Sequence, residues 1–75
     1  MDRSAIYKSF VFPDFNRAFS FMTSAALYAE RHHHHPEWSN IFNRVDITLS
    51  SHDAGGVTQK DIDFARWIEI YLQNT

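Results

Sequence analysis

Five histidines occur among the 75 residues, and four of them are consecutive, from His32 to His35. Histidine is the side chain whose unperturbed pKa lies near neutrality, so a group of histidines at the rim of a cleft can donate and accept protons at cellular pH. Because Pro36 draws His35 toward an extended backbone, the side chains of His34 and His35 can diverge and take distinct roles. The cluster therefore predicts a site of general acid–base chemistry.

Two further residues are candidates for the same site. Glu30 lies four residues before His34, so if the helix persists that far its carboxylate can hydrogen-bond the imidazole and fix its tautomer. An acidic residue in the last turn of a helix is also slightly disfavoured by the macrodipole, and this small cost favours a functional role for Glu30. His52 follows a predicted hairpin, and it reaches the same cleft only if the second hairpin strand lies beside the end of the helix.

Structural alternatives accompany these functional interpretations. A single surface histidine is more often without a role than with one. A zinc site is conceivable, with Glu30, Asp46 or Asp53 completing a tetrahedron, but adjacent histidines cannot all turn toward one ion, so we expect no metal. Asp61 is explained by helix capping, and Trp38 by hairpin core or cleft wall.

Composition restricts the class of protein. A 44% apolar share and 16% aromatic residues describe a globular chain. The length of 75 residues predicts one domain, 1–75, which buries only about 60% of the surface that the unfolded chain exposes and is marginal as a monomer, so we expect an oligomer. The net charge of −2 without a Lys/Arg cluster argues against direct nucleic-acid or membrane binding. The absence of cysteine, of a signal-peptide pattern and of a long apolar run predicts a cytoplasmic protein, with the nucleus as a further location.

The elements that position these residues follow from periodicity and capping. Residues 5–12 alternate as a strand, with Ile6, Phe10 and Phe12 on one side. Asp14 then stands as the N-cap of an amphipathic helix that runs to about Arg31.

The second half of the chain predicts a hairpin and a second helix. Strands at 38–42 and 45–50 are joined by a turn at Asn43-Arg44, and a polar loop from Ser51 to Gly56 follows. Thr58 is the next N-cap, with Asp61 as the partner in a variant capping box. The order strand, helix, strand, strand, helix predicts an α+β fold, an antiparallel sheet with both helices on one face.

Several of these residues together resemble a known signature: Glu30, His34-His35-Pro36-Glu37-Trp38, Phe42, His52 and Asp61. In order and spacing they resemble the pterin-4a-carbinolamine dehydratases. The resemblance extends to Asp14–Phe19, to Asp46–Ser50 and to the Gly55-Gly56 loop, and so covers nearly the whole chain from Ala5.

The resemblance implies an enzyme that removes water from 4a-hydroxytetrahydropterin to give quinonoid dihydropterin in tetrahydrobiopterin recycling, with no metal or further cofactor. It implies His34 and His52 as the proton-transfer pair, His35 as a residue that orients the ring, and Glu30 as the residue that holds His34. A wider set would line the substrate pocket: His33, Ser50, Ser51, Asp53 and Trp38. Asp61 occupies a signature position as well as a capping position.

The resemblance also implies partners. Members of the family form homodimers through their sheets and often tetramers, and the vertebrate protein doubles as a dimerisation cofactor for a homeodomain transcription factor, so a non-catalytic coactivator scaffold is the alternative function. Members usually carry a further helix and strand before the one predicted at 5–12. This chain begins almost at that strand, so we expect either a fragment or partner subunits that cover the exposed surface.

Overall fold

The computed structural model describes residues 5–51 and 55–74. Five elements follow one another in the predicted order: β1 (Ile6–Val11), α1 (Phe15–Arg31), β2 (Glu37–Ile41), β3 (Arg44–Leu49) and α2 (Gln59–Gln73). The α+β class predicted from the sequence is confirmed, with three antiparallel strands in one sheet and two helices.

The sheet has the strand order β1-β3-β2, so β3 is central and pairs antiparallel with both neighbours. Ile47 lies opposite Lys8 of β1 and Trp38 of β2. Alternate residues of β3, Val45, Ile47 and Leu49, are buried on one face, as the two-residue alternation predicts.

Both helices pack against that face of the sheet. The buried residues come from α1, β3 and α2, and form one cluster: Ala18, Phe21, Ala25, Tyr28, Ala29, Val45, Ile47, Leu49, Phe64 and Ile68. The ring of Phe21 lies 5.6 Å from that of Phe10, 5.3 Å from that of Phe12 and 5.8 Å from that of Tyr71. The predicted inward side of β1 is thus confirmed, and a single core fixes the helix ends relative to the sheet.

Each helix begins at the predicted cap. The side chain of Asp14 accepts a hydrogen bond of 2.8 Å from the backbone N–H of Arg17. Thr58 precedes α2 and forms a capping box with Asp61, in which the Thr58 N–H donates to Asp61 Oδ2 at 2.9 Å. These local contacts satisfy amides that the first turn of a helix leaves without partners.

The predicted hairpin turn is wrong by one residue. Ile41 pairs with Arg44, so the loop is Phe42 and Asn43 rather than Asn43-Arg44, and Phe42 takes a positive φ of 52°. Asn43 instead fastens the end of β1, because its Nδ2 donates to the Phe12 carbonyl at 2.8 Å and its carbonyl accepts from the Phe12 N–H at 2.8 Å. The Nδ2 of Asn40 donates to the carbonyls of Phe42 and Arg44, which holds the loop in this shape.

Neither helix within the described residues has the length and apolarity needed to cross a membrane.

Candidate functional site

The first helix ends in a Schellman motif that sets the direction of the histidine run. The N–H of His33 donates to the carbonyl of Glu30 at 3.4 Å, and the N–H of His34 donates to the carbonyl of Ala29 at 3.1 Å, the two bonds that define this motif. His33 occupies its left-handed position, with φ of 52°. Helical geometry therefore stops at His33, and His34 leaves the helix axis.

This ending changes the predicted partner of His34. A hydrogen bond in which Glu30 accepts from His34 required one more turn of helix, and this predicted contact is wrong. Glu30 Oε1 lies instead 3.2 Å from His35 Nε2, and both side chains are largely exposed. The partner of His34 is Asp61, whose Oδ1 lies 2.5 Å from His34 Nε2. The pair is shielded, because 11% of the His34 side chain and none of that of Asp61 is exposed.

Asp61 is a buried carboxylate whose two oxygens are both hydrogen-bonded. Oδ1 bonds His34, and Oδ2 accepts from the Ser51 hydroxyl and from the Thr58 N–H, each at 2.9 Å. Burial acts to raise the pKa of Asp61, but hydrogen bonds from the Thr58 amide, His34 and Ser51 outweigh it and hold that pKa below its ordinary value. Asp61 is therefore ionised at neutral pH.

An ionised Asp61 determines how the proton of neutral His34 is placed. A carboxylate without a proton only accepts hydrogen bonds, so His34 Nε2 must donate to it. The neutral ring then carries its proton on Nε2, and Nδ1 is the nitrogen that accepts a proton. When Nδ1 is protonated, the charge of the imidazolium is stabilised by Asp61. A histidine held in this way can act in turn as a base and as an acid.

Ser51 joins the end of β3 to the start of α2 beside this pair. Its backbone forms an isolated antiparallel bridge with Gly56, with N–H to carbonyl distances of 2.9 Å and 3.2 Å. Its hydroxyl lies 2.8 Å from Thr58 Oγ1 and 2.9 Å from Asp61 Oδ2. The structure thus brings Ser51 to Asp61, a contact that is additional to the substrate-pocket position implied by the family resemblance.

The remaining predicted site residues have different settings. His33 is exposed, Ser50 is half-buried, and Trp38 is half-buried and packs against the core, which favours the hairpin-core interpretation of that tryptophan. His52 and Asp53 lie outside the described residues. Tyr28 was not among the predicted residues. Its ring stacks on that of His32, the C-cap of α1, at 4.1 Å between centroids, and their four-residue spacing is a signal for such a contact.

The histidine cluster does not assemble a metal-binding group within 5–51 and 55–74. In those ranges there is no group of three or more His, Asp or Glu side chains arranged to hold a metal ion. His34 and His35 turn to different carboxylates, Asp61 and Glu30, as expected of neighbours that diverge at a proline.

Comparison with known proteins gives the family. The sequence profile described as pterin 4 alpha carbinolamine dehydratase matches residues 1–71. A Rhizorhabdus wittichii protein carrying the name pterin-4-alpha-carbinolamine dehydratase is 63% identical over 67 residues, which are 89% of this chain and 69% of that protein. The Drosophila melanogaster pterin-4-alpha-carbinolamine dehydratase is 58% identical over 67 residues, 89% of this chain but 35% of that protein.

A solved structure is similar to this chain in sequence and in fold. The crystal structure of a transcriptional coactivator/pterin dehydratase from Brucella melitensis superimposes with a TM-score of 0.88 at 56% identity, covering 91% of this chain and 72% of that one. The chain thus spans about two thirds of the Rhizorhabdus protein and about a third of the Drosophila protein. On sequence and on fold, the chain belongs to the pterin-4a-carbinolamine dehydratase family.

Proposed function

We propose that this chain catalyses the dehydration of 4a-hydroxytetrahydropterin to quinonoid dihydropterin, the step that returns the pterin of aromatic amino acid hydroxylation to its recycling path. A hydro-lyase of this kind is the function that the family match and the relatives' names support. The observation that carries the proposal is the shielded pair of His34 and Asp61.

The reaction needs one proton given and one proton taken. The C4a–O bond breaks as its hydroxyl is protonated and leaves as water, and the N5 proton is removed as the C4a–N5 double bond forms. His34 supplies one of these transfers through Nδ1, because Nε2 is occupied by Asp61. We assign the other transfer to His52, so that the two histidines serve opposite faces of the pterin. Both steps use side-chain acids and bases alone, with the pterin as substrate.

The other predicted residues have binding roles in this proposal. His35 orients the pterin ring, and its contact with Glu30 replaces the one predicted between Glu30 and His34. The substrate pocket is completed by His33, Ser50, Asp53 and Trp38. Ser51 was predicted in the same set, and its contact with Asp61 suggests a different role, argued below.

A coupled hydroxylase assay tests the activity directly. Wild-type protein should accelerate breakdown of the carbinolamine, and His34→Ala should abolish most of that acceleration. His32→Gln is the matched control, since His32 belongs to the same run but stacks on Tyr28 and contributes nothing to the proposed chemistry. Equal acceleration by wild type and His34→Ala would end the proposal.

A coactivator role is the second candidate, because the similar Brucella protein is described as a transcriptional coactivator/pterin dehydratase. If the chain acts as a scaffold for a transcription factor, the His34→Ala protein should still bind that partner at wild-type affinity. Loss of binding in parallel with loss of dehydration would argue against a separate role.

We also propose that the protein self-associates, as a dimer or tetramer, and works in the cytoplasm. Among the described strands, β1 and β2 each pair with β3 alone, which leaves two edges able to add a strand. Val11, Phe19 and Ile41 are large apolar side chains that are more than half exposed. Size-exclusion chromatography with light scattering decides between an oligomer and a folded monomer, and a stable monomer would contradict the proposal.

A further inference from the structure

The hydroxyl of Ser51 occupies a junction between the capping box of α2 and the His34–Asp61 pair. It lies within hydrogen-bond distance of Thr58 Oγ1 and of Asp61 Oδ2. Asp61 Oδ1 in turn bonds His34. Four residues are therefore joined in one series, from Thr58 through Ser51 and Asp61 to His34.

The direction of each hydrogen bond in this series follows from the ionised carboxylate. Asp61 only accepts, so the single hydroxyl proton of Ser51 must point to Asp61 Oδ2. Ser51 Oγ then acts as the acceptor toward Thr58, whose hydroxyl donates to it. On the other side, His34 Nε2 donates to Oδ1. The carboxylate is thus held from both sides by donors, with no freedom to exchange its two oxygens.

We propose that Ser51 is a positioning residue for His34, which acts by fixing the rotation of the Asp61 carboxylate and not by contacting the pterin. The proposal rests on the dehydratase function proposed above, and it assigns a role that the predicted pocket position of Ser51 does not include.

The backbone around Ser51 suits this role. The bridge to Gly56 anchors Ser51 at both its N–H and its carbonyl, so the hydroxyl starts from a fixed point. Every buried side-chain nitrogen and oxygen within the described residues has a partner. Without the Ser51 hydroxyl, Asp61 Oδ2 would keep the hydrogen bond from the Thr58 N–H and a longer contact of 3.5 Å with the Thr58 hydroxyl. The carboxylate could then rotate, which would loosen the bond to His34. The Ser51 hydrogen bond also helps to lower the pKa of Asp61.

Steady-state kinetics separate positioning from substrate binding. Ser51→Ala should lower kcat by about 10- to 100-fold, the scale of a misplaced catalytic group, with KM within about 2-fold of wild type because ground-state binding is unaffected. Ser51→Thr keeps the hydroxyl and should restore most of kcat. Ser20→Ala, a serine exposed on α1, is the control and should match wild type. A rise in KM with unchanged kcat would instead make Ser51 a pterin contact and overturn the proposal.

A double-mutant cycle tests whether Ser51 acts through Asp61. If it does, Ser51→Ala should have no further effect on kcat in an Asp61→Asn background. Full multiplication of the two losses would show that Ser51 acts elsewhere.

A readout without turnover keeps this inference separate from the dehydratase proposal. The ¹⁵N shifts of His34 report which ring nitrogen carries the proton. Wild type should show a single tautomer protonated at Nε2, and Ser51→Ala should show a mixture of the two. Ser51→Cys, with a weak thiol donor of similar size, serves in the same way if the alanine variant does not fold. Identical tautomer populations in wild type and variant would refute the positioning role even in an active enzyme, and a changed population in a protein without dehydratase activity would support it alone.

Discussion

His34 Nε2 lies 2.5 Å from Asp61 Oδ1, although 27 residues separate the two in sequence. The contact joins the end of α1 to the first turn of α2. Asp61 therefore has two functions at once, since its Oδ2 completes a helix cap through Thr58 and its Oδ1 orients a histidine. Both functions require the ionised carboxylate, so stability and chemistry depend on the same charge.

Replacement of Asp61 by asparagine should damage activity more than folding. An asparagine oxygen can still accept the Thr58 N–H, but the amide that then faces His34 donates, and forces the ring to accept at Nε2. The proton of neutral His34 moves to Nδ1, the wrong nitrogen for the proposed chemistry. We expect kcat/KM to fall by about 100-fold or more, the range for loss of a correctly held acid–base, and the free energy of unfolding by about 1–3 kcal/mol.

Asp63→Asn is the matched control for this prediction. Asp63 lies two residues further along α2 and is exposed, and its carboxylate accepts a hydrogen bond of 2.8 Å from the exposed Gln59 side chain. Its replacement should leave kcat/KM within about 2-fold of wild type and stability within about 0.5 kcal/mol, the usual range for a surface change. Equal effects of the two substitutions in the coupled assay would contradict the role of Asp61.

The lowered pKa of Asp61 predicts a loss of stability in acid. Because the folded-state pKa of Asp61 lies below that of the same group in the unfolded chain, the ionised group stabilises the folded chain fully above the unfolded pKa. That contribution diminishes as the pH falls through the folded-state pKa. Urea unfolding between pH 6 and the acid limit of folding should show a decrease that is smaller in Asp61→Asn than in wild type or Asp63→Asn. Parallel curves for all three proteins would show that Asp61 does not carry this dependence.

Much of the fold could be predicted because its signals are local. Asp14 and Thr58 mark the starts of both helices, and alternation identified the inward face of β3, so five elements in the observed order followed from neighbouring residues. The hairpin turn was misplaced for a physical reason. Positive φ favours glycine and asparagine, whereas the structure places it at Phe42.

The site was predicted less completely. The histidines His34 and His35 were identified from residue type, but the partner of His34 was not, because a contact between two helix ends leaves no periodic trace in the sequence. Glu30 was chosen on four-residue spacing, which holds only while a helix continues. The helix ends at Arg31, as predicted, and His33 then takes a left-handed conformation that no glycine or asparagine in the sequence signals.

The exposed contact between Glu30 and His35 predicts a mild phenotype for Glu30→Gln. Both side chains are more than half exposed, so solvent screens their interaction and stability should change by no more than about 0.5 kcal/mol. Activity should fall by less than about 10-fold, because the glutamine oxygen can still accept from His35 and His34 keeps Asp61. The coupled assay on Glu30→Gln beside Asp61→Asn measures the difference. A loss as large as that of Asp61→Asn would restore Glu30 as the residue that orients His34.

The left-handed conformation of His33 predicts that His33→Gly stabilises the protein. An L-residue in this conformation costs about 1–2 kcal/mol, while glycine adds about 0.5–1 kcal/mol of unfolded-state entropy to be lost on folding, so the net gain is up to about 1.5 kcal/mol. His32→Gly is the control, because His32 has a φ of −102° and its ring stacks on Tyr28, so glycine there should destabilise. The midpoints of urea unfolding at neutral pH measure the stability of both variants relative to wild type. Destabilisation of similar size in the two variants would mean that His33 is not strained, and that the Schellman ending of α1 depends on the histidine side chain itself.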